Sequence, residues 1–291
     1  MKLIKVISLI SILLLLCSCN RPQYEQIDII TENQTTIQDS KPLPETSVLP
    51  EPMAQKDKLS TKKISHSYGV AKNGVANEIS INAQKYFEEN NFNAFCLDTK
   101  SDGKVLYLTF DCGYENGYTS KILDVLKEKD VNAAFFCTLP QVKAEPELIK
   151  RMIDEGHIVG NHSVTHPSFA EISREQMIEE INGMNLYLKE NYNYSEPYFR
   201  FPKGEYNEVA LDVVDSLGFI SVFWSLAYAD WDLNNQKGAE YAHNTVVSRL
   251  HPGAVILLHS VSPDNANALD KIIDSARAQG YEFKSLRDYC N

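Results

Sequence analysis

The pattern of apolar and polar positions changes at residue 105. Residues 20–64 carry no apolar periodicity, whereas from residue 105 onwards short apolar runs alternate with segments of helical spacing. Residues 105–110 form a run typical of a buried strand, and residues 120–129 place their apolar side chains on one helical face. This alternation predicts an α/β fold built from crossover units, which favours a parallel sheet.

The same pattern predicts the remaining elements of the fold. The predicted strands are residues 105–110, 133–136, 158–160, 198–201, 220–224, 255–259 and 282–286. The predicted helices are residues 120–129, 146–155, 174–191, 207–217, 239–250 and 265–278. About seven strands in about 185 residues fit either a barrel or a doubly wound sheet, and the pattern alone leaves both open.

The N-terminus reads as an export signal. Lys2 and Lys5 precede a short Ile/Leu-rich run, which is too short to span a membrane comfortably and suits a signal peptide. The run ends in Leu-Cys-Ser-Cys, which resembles a bacterial lipoprotein box with Cys19 as the lipidated residue. We therefore predict a lipoprotein signal peptide over residues 1–19 and anchoring at the outer face of the cell membrane. Plain secretion with cleavage nearby and an uncleaved anchor are the alternatives.

Two further segments precede the α/β region. Residues 20–64 are rich in Thr, Gln, Pro, Glu, Lys and Ser, which predicts a disordered linker between the anchor and the folded region. Residues 65–104 are predicted to form an N-terminal extension with one helix near residues 80–90. The α/β domain then occupies residues 105–291.

Composition and charge narrow the function. The chain has 291 residues, 43% of them hydrophobic, and a net charge of -11. Because nucleic-acid binding needs a basic surface, this acidic chain is not expected to bind nucleic acid. Of the six cysteines, two lie in the leader and the others form no CxxC pair, so Cys96 and Cys137 are predicted to be buried free thiols.

Candidate chemistry lies where the predicted strands end, as expected for an α/β fold. Asp111, His259 and the pair His162 and His166 each follow an apolar run. A four-residue spacing on a helical turn would place both imidazoles on one face, where they could bind one metal. Taken singly, the histidines could equally be exposed or core residues, and Asp111 could be a helix cap. Their occurrence together at successive strand ends favours a reaction centre.

Five segments at these strand ends, in order along the chain, resemble the motifs of the polysaccharide deacetylase family, also called the NodB-homology or carbohydrate esterase type. They are Thr109-Phe110-Asp111-Cys112-Gly113, His162-Ser163-Val164-Thr165-His166, Arg200-Phe201-Pro202-Lys203-Gly204, Asp230-Trp231 and Leu257-Leu258-His259. The resemblance covers about residues 105 to 286 and implies a distorted (β/α) barrel of about seven strands. It also implies a metal-dependent hydrolase that removes N-acetyl groups.

The resemblance implies a role for each acid or base. Asp111 is similar to the general base that activates water, and Arg200 to the cation that holds this carboxylate ionised. His259 is similar to the general acid that protonates the leaving nitrogen. The family often places an acidic partner for this histidine where Ala227 stands, so Asp230 is expected to replace it.

The resemblance also implies the binding residues. The backbone N–H of Lys203 is similar to the oxyanion donor, and Trp231 and Leu257 to the pocket for the acetyl methyl group, with plain barrel packing as their alternative. His162 and His166 are expected to bind a divalent metal, with zinc as the first candidate and cobalt or manganese as alternatives. The family's third ligand is an aspartate, so Cys112 is either a thiolate ligand in its place or no ligand at all.

Within the family, three segments most resemble the subgroup that acts on muramic acid in spore peptidoglycan: residues 111–119, 230–238 and 283–286. The resemblance implies de-N-acetylation of N-acetylmuramic acid in glycan strands, preparing muramic δ-lactam of the spore cortex. An N-acetylmuramoyl-L-alanine amidase is the partner hypothesis that follows from it. One alternative is a deacetylase of N-acetylglucosamine, chitin-like or xylan polysaccharides. The other is a glycan-binding lipoprotein without a working metal site, which Cys112 suggests.

Overall fold

The secondary structure of the chain is described over residues 59–289 of a computed structural model. The strands, in chain order, are β1 Ile64–Ser65, β2 Ala94–Phe95, β3 Val105–Cys112, β4 Ala134–Cys137, β5 Ile158–Asn161, β6 Tyr198–Phe199, β7 Glu205–Tyr206, β8 Ile220–Val222, β9 Ala254–His259 and β10 Glu282–Phe283. The helices are α1 Glu78–Glu89, α2 Thr119–Glu128, α3 Leu139–Ala144, α4 Pro146–Asp154, α5 Arg174–Tyr192, α6 Glu208–Ser216, α7 Ala239–Val247 and α8 Pro263–Ala278.

The main sheet has eight strands and is parallel throughout. Its order is β10-β3-β4-β5-β6-β8-β2, with β9 also paired to β3. Leu226, which follows β8, bridges to Ile256 on β9, so the sheet curls back towards itself. The α/β barrel predicted from the sequence is therefore confirmed as a curled half-barrel, and the alternative of an open doubly wound sheet is excluded.

The two faces of β3 belong to two different parts of the core. Leu106, Leu108 and Phe110 pack with residues of the surrounding helices, whereas Val105 and Tyr107 pack inside the curl with residues of the neighbouring strands. Every residue from Val105 to Phe110 is buried. A strand that is covered on both faces needs apolar residues at successive positions, which explains why Thr109 is the one polar residue in this run.

The N-terminal extension contributes to the same sheet. Strand β2 pairs with β8, and β1 forms a separate antiparallel pair with β7. The predicted helix near residues 80–90 is α1, whose N-terminus is capped by the Asn77 side chain. Downstream of β2, the carbonyl of Asp98 lies so close to Gly253 that a Cβ there would be 2.0 Å from it. This approach requires glycine.

Four short elements differ from the sequence prediction. Helix α3 and the two-residue strands β1, β2 and β7 were not predicted, because so few residues cannot display a period. The predicted signal peptide and most of the predicted linker lie outside the described residues. Within the described part of the chain, no helix combines the length and apolarity that a membrane span requires.

Candidate active site

A cavity of about 550 Å³ opens at the carboxyl ends of the parallel strands. It is lined by His66, Ser67, Tyr68, Asp111, Gly113, Tyr114, His162, His166, Lys203, Gly204, Trp224, Ala227, Trp231, Leu257, His259 and Val261. Seven of the ten predicted site residues are among them. Arg200 and Asp230 are buried and bond directly to two of the lining residues, whereas Cys112 does not reach the cavity.

Asp111 is held by a fully buried arginine. Arg200 Nη1 lies 2.8 Å from Asp111 Oδ1 and also donates to the hydroxyl of Thr109 at 2.9 Å. Its other nitrogens donate to the carbonyls of Val222 and Phe223, so the guanidinium is fixed on all sides. Burial alone would raise the pKa of Asp111, but the charges of Arg200 and the nearby imidazoles outweigh it and hold that pKa below its usual value. Asp111 is therefore ionised at neutral pH.

His259 is held by a buried carboxylate. Its Nδ1 lies 2.7 Å from Asp230 Oδ1, and its backbone N–H donates to Asp230 Oδ2 at 2.8 Å. The side-chain amide of Asn265 also donates to Asp230. Asp230 is thus the acidic partner that the sequence predicted in place of Ala227, although Ala227 itself lines the cavity.

This partner sets the protonation of His259. Burial lowers the pKa of an imidazole, but the charge of Asp230 and its hydrogen bond more than offset this and raise the pKa of His259 above its usual value. The Nδ1 bond also leaves Nε2 as the nitrogen available for chemistry. Because β3 and β9 pair with Asp111 opposite His259, an ionised carboxylate and a readily protonated imidazole meet at one end of the sheet.

His162 and His166 come together on a loop, not on a helical turn as predicted. The loop follows β5, and both Ser163 and His166 have positive φ angles of 71° and 60°. The Glu180 carboxylate accepts hydrogen bonds from the loop's backbone at Val164 and Thr165 and holds it in place. The two imidazole centroids are 4.9 Å apart, so the predicted juxtaposition is found although its backbone explanation was wrong.

The chemistry of this pair fits a metal. His162 Nδ1 lies 2.8 Å from the carbonyl of Arg200, so Nδ1 carries the proton and Nε2 is left as a possible ligand, 3.6 Å from Asp111 Oδ2. Burial lowers the pKa of His162 to about 4 and also lowers that of His166, which keeps both rings in the neutral, ligating form. Within residues 59–289, no third His, Cys, Asp or Glu is placed to complete a metal cluster with them.

The structure places the Cys112 side chain outside the cavity, which favours the alternative that it is not a metal ligand. Cys112 is fully buried on the helix-facing side of β3, in the cluster that contains Ile122 and Leu269. Side chains alternate between the two faces of a strand, so the residue after Asp111 must point away from the cavity. The Cys112 thiol contacts that of Cys137, and this hydrogen bond together with burial raises the pKa of Cys137 far above its usual value. Cys96 and Cys137 are the buried free thiols that the sequence predicted.

The predicted binding residues occupy different depths of the cavity. Lys203 has a left-handed backbone, with φ 59°, in a short turn that follows β6. Leu257 is buried, whereas Trp231 is 50% exposed at the rim, with its ring 5.5 Å from that of His259. Leu257 therefore lies where it can line an apolar pocket, and Trp231 lies at its mouth.

Sequence reasoning missed several cavity residues. His66, Ser67 and Tyr68 come from the N-terminal extension, and no local pattern marks them. Trp224 is buried against Leu257, and Asn265 orients Asp230 from helix α8. The signal that could have been used is the position of Trp224 after the β8 strand, since residues at strand ends line such cavities.

The comparisons with known proteins agree with this geometry. The model of the polysaccharide deacetylase family matches residues 98–222. The chain is 48% identical over 198 residues to a peptidoglycan-N-acetylmuramic acid deacetylase of Bacillus subtilis, covering 68% of this chain and 75% of that protein. It is 35% identical over 185 residues to a peptidoglycan-N-acetylglucosamine deacetylase of Bacillus cereus, covering 62% and 66% respectively.

A solved structure extends the similarity towards the N-terminus. The structure of a Bacillus subtilis family 4 carbohydrate esterase superposes with a TM-score of 0.76 at 41% identity, covering 80% of this chain and 98% of that one. Residues 98–291 make up only about two thirds of the sequence, so the superposition includes part of the N-terminal extension. The fold, the matched region and the identity to these relatives show that the chain belongs to the polysaccharide deacetylase family.

Proposed function

We propose that this protein hydrolyses the N-acetyl group of N-acetylmuramic acid residues in peptidoglycan glycan strands. The observation that carries the proposal is that one cavity holds both an ionised carboxylate and a readily protonated imidazole. Arg200 keeps Asp111 as a carboxylate, and Asp230 keeps His259 readily protonated. Amide hydrolysis requires such a pair, because water must lose a proton and the leaving nitrogen must gain one.

Each residue then has one step. Asp111 accepts the proton of the attacking water, and His259 Nε2 delivers a proton to the departing amine. The backbone N–H of Lys203 stabilises the negative charge that develops on the carbonyl oxygen. Members of this family are metal-dependent. His162 and His166 would hold the divalent ion, zinc in the first place with cobalt or manganese as alternatives, and the bound ion would supply Lewis acidity.

The charge of the cavity favours a muramic acid substrate. N-acetylmuramic acid differs from N-acetylglucosamine by a lactic acid ether on the carbon next to the acetamido group. Its carboxylate must therefore lie in the same cavity as the reacting amide. Lys203 is the one lysine or arginine among the cavity-lining residues of the described chain, and its ammonium can pair with that carboxylate.

The need for a free lactate carboxylate connects this reaction to a preceding amidase reaction. In peptidoglycan the lactic acid is joined to a stem peptide, and an N-acetylmuramoyl-L-alanine amidase would free its carboxylate. We therefore propose action after such an amidase, in the sequence that leads to muramic δ-lactam of a spore cortex. Export and lipid anchoring at Cys19 would place the enzyme on the outer face of the membrane, next to this substrate.

The test is acetate release by the purified protein supplied with zinc, cobalt or manganese. Amidase-treated peptidoglycan should release acetate, and untreated peptidoglycan, N-acetylglucosamine oligomers and acetylated xylan should release far less. If acetate is released preferentially from N-acetylglucosamine oligomers, the substrate is N-acetylglucosamine and not N-acetylmuramic acid. Release from none of these glycans, with binding to peptidoglycan retained, would instead support a glycan-binding lipoprotein.

A further inference from the structure

The N-terminal extension supplies part of the catalytic cavity although it precedes the residues that match the family model. His66, Ser67 and Tyr68 line the cavity together with Asp111 and His259. We infer that Tyr68 closes the pocket that receives the acyl group and thereby restricts the enzyme to N-acetyl substrates. This inference rests on the proposed function and adds a specificity-determining residue to it.

The segment that carries Tyr68 is fixed to the walls of the site. Strand β1 pairs with β7, and the backbone N–H of His66 donates to the carbonyl of Gly204 at 2.8 Å. The His66 ring is buried, and its Nε2 donates to the carbonyl of Trp224 at 2.8 Å. Downstream, the Asn77 amide donates to the carbonyl of Ser225 at 2.9 Å. These bonds hold the segment on both sides of Tyr68, so they fix the position of Tyr68 at the edge of the cavity.

Tyr68 packs on an apolar cluster within the cavity. The cluster consists of Trp224, Ala227 and Leu257, which are all buried. Leu257 pairs with Thr109 across β3 and β9, and the next pair on the same face is Asp111 with His259. Leu257 therefore lies one layer below the proposed base and acid, and the apolar cluster around it can receive the methyl group of an acetamide whose carbonyl carbon faces Asp111 and His259.

Tyr68 is the member of this wall that can be changed without opening the core. Trp224, Ala227 and Leu257 are at least nine-tenths buried, whereas Tyr68 is only partly buried. A smaller side chain at position 68 adds room next to the methyl group and leaves the sheet intact. One methylene in an apolar pocket changes kcat/KM by about tenfold or more, so a pocket closed by Tyr68 should reject a propionyl group.

The experiment compares two glycans with the wild-type protein and three variants. Amidase-treated peptidoglycan is used with its native N-acetyl groups, or after these groups have been removed chemically and the freed amines N-propionylated, and acetate or propionate release is measured. Tyr68→Ala should raise the propionyl-to-acetyl ratio of kcat/KM by about tenfold. Tyr68→Phe keeps the ring and should leave the ratio unchanged. Val70→Ala, at an exposed residue that does not line the cavity, is the matched control.

The outcomes separate this inference from the proposed function. Acetate release by the wild-type protein tests the proposed function alone. An unchanged acyl ratio in Tyr68→Ala, with acetate release retained, would overturn the inference about Tyr68. Should Tyr68→Ala be poorly folded by circular dichroism, Tyr68→Leu keeps more packing and must show the same direction of change. A ratio that rises equally in Val70→Ala would also overturn it.

Discussion

Two regions of the cavity use histidine in opposite ways. On the loop after β5, His162 and His166 are desolvated without a carboxylate hydrogen bond, and their pKa values fall below the usual range. At the end of β9, the side chain of His259 is 23% exposed, against 3% for His162. Burial opposes its charge as well, but Asp230 accepts its Nδ1 proton, and its pKa rises. His162 instead donates Nδ1–H to the carbonyl of Arg200, which is a dipole and carries no net charge.

The difference teaches that the partner of Nδ1 decides what a buried imidazole can do. A neutral carbonyl fixes the ring but leaves burial to dominate, so the ring stays neutral and Nε2 can bind a metal. A carboxylate stabilises the imidazolium, so the ring can carry a proton to the substrate. The partner of Nδ1 therefore suits His162 to binding a metal and His259 to donating a proton.

The largest expected effects are on metal content and acetate release, and they distinguish His162 from His259. His162→Ala should lose both metal content, measured by elemental analysis of the purified protein, and acetate release. His259→Ala should lose on the order of 10²- to 10⁴-fold in kcat, which is typical of a missing general acid, and keep its metal. Metal loss in His259→Ala would contradict the division of roles.

A smaller effect is expected when only the partner of His259 is changed. Asp230→Asn removes the charge that raises the pKa of His259. Because a general acid is active only below its pKa, the fall of kcat/KM at high pH should move to lower pH by about one unit. The pH profile of acetate release measures this shift. Asp232→Asn changes an exposed neighbour and should leave the pH profile unchanged. If the profile of Asp230→Asn is also unshifted, Asp230 does not raise the pKa of His259.

The smallest effect is expected at the residue next to the base. Cys112→Ala should leave metal content unchanged, because the thiol faces the helices and not the cavity. Loss of its packing should lower the free energy of unfolding by about 1 kcal/mol, which chemical denaturation can measure. A loss of bound metal in this variant would show that the thiol does take part in the site.

Much of the fold and of the site followed from the sequence because their signals are local. The apolar runs that end in Asp111 and His259 predicted strands whose carboxyl ends meet, and in the structure these two residues lie opposite each other. The orientation of Cys112 was not predicted, because β3 is buried on both faces and its sequence shows no alternation. Nothing near Tyr68 marks it as a cavity residue, because its place depends on contacts with distant parts of the chain.

Those contacts have a consequence for folding. The hydrogen bond between His66 and Trp224 joins residues 158 positions apart, and the bond from Asn77 to Ser225 spans 148 positions. Closing such long loops is slow, since their entropy is lost before the contacts form. We therefore expect the wall from the extension to dock late, after the helices and neighbouring strands have formed. Enzymatic activity should then return later during refolding than the circular dichroism signal of the helices.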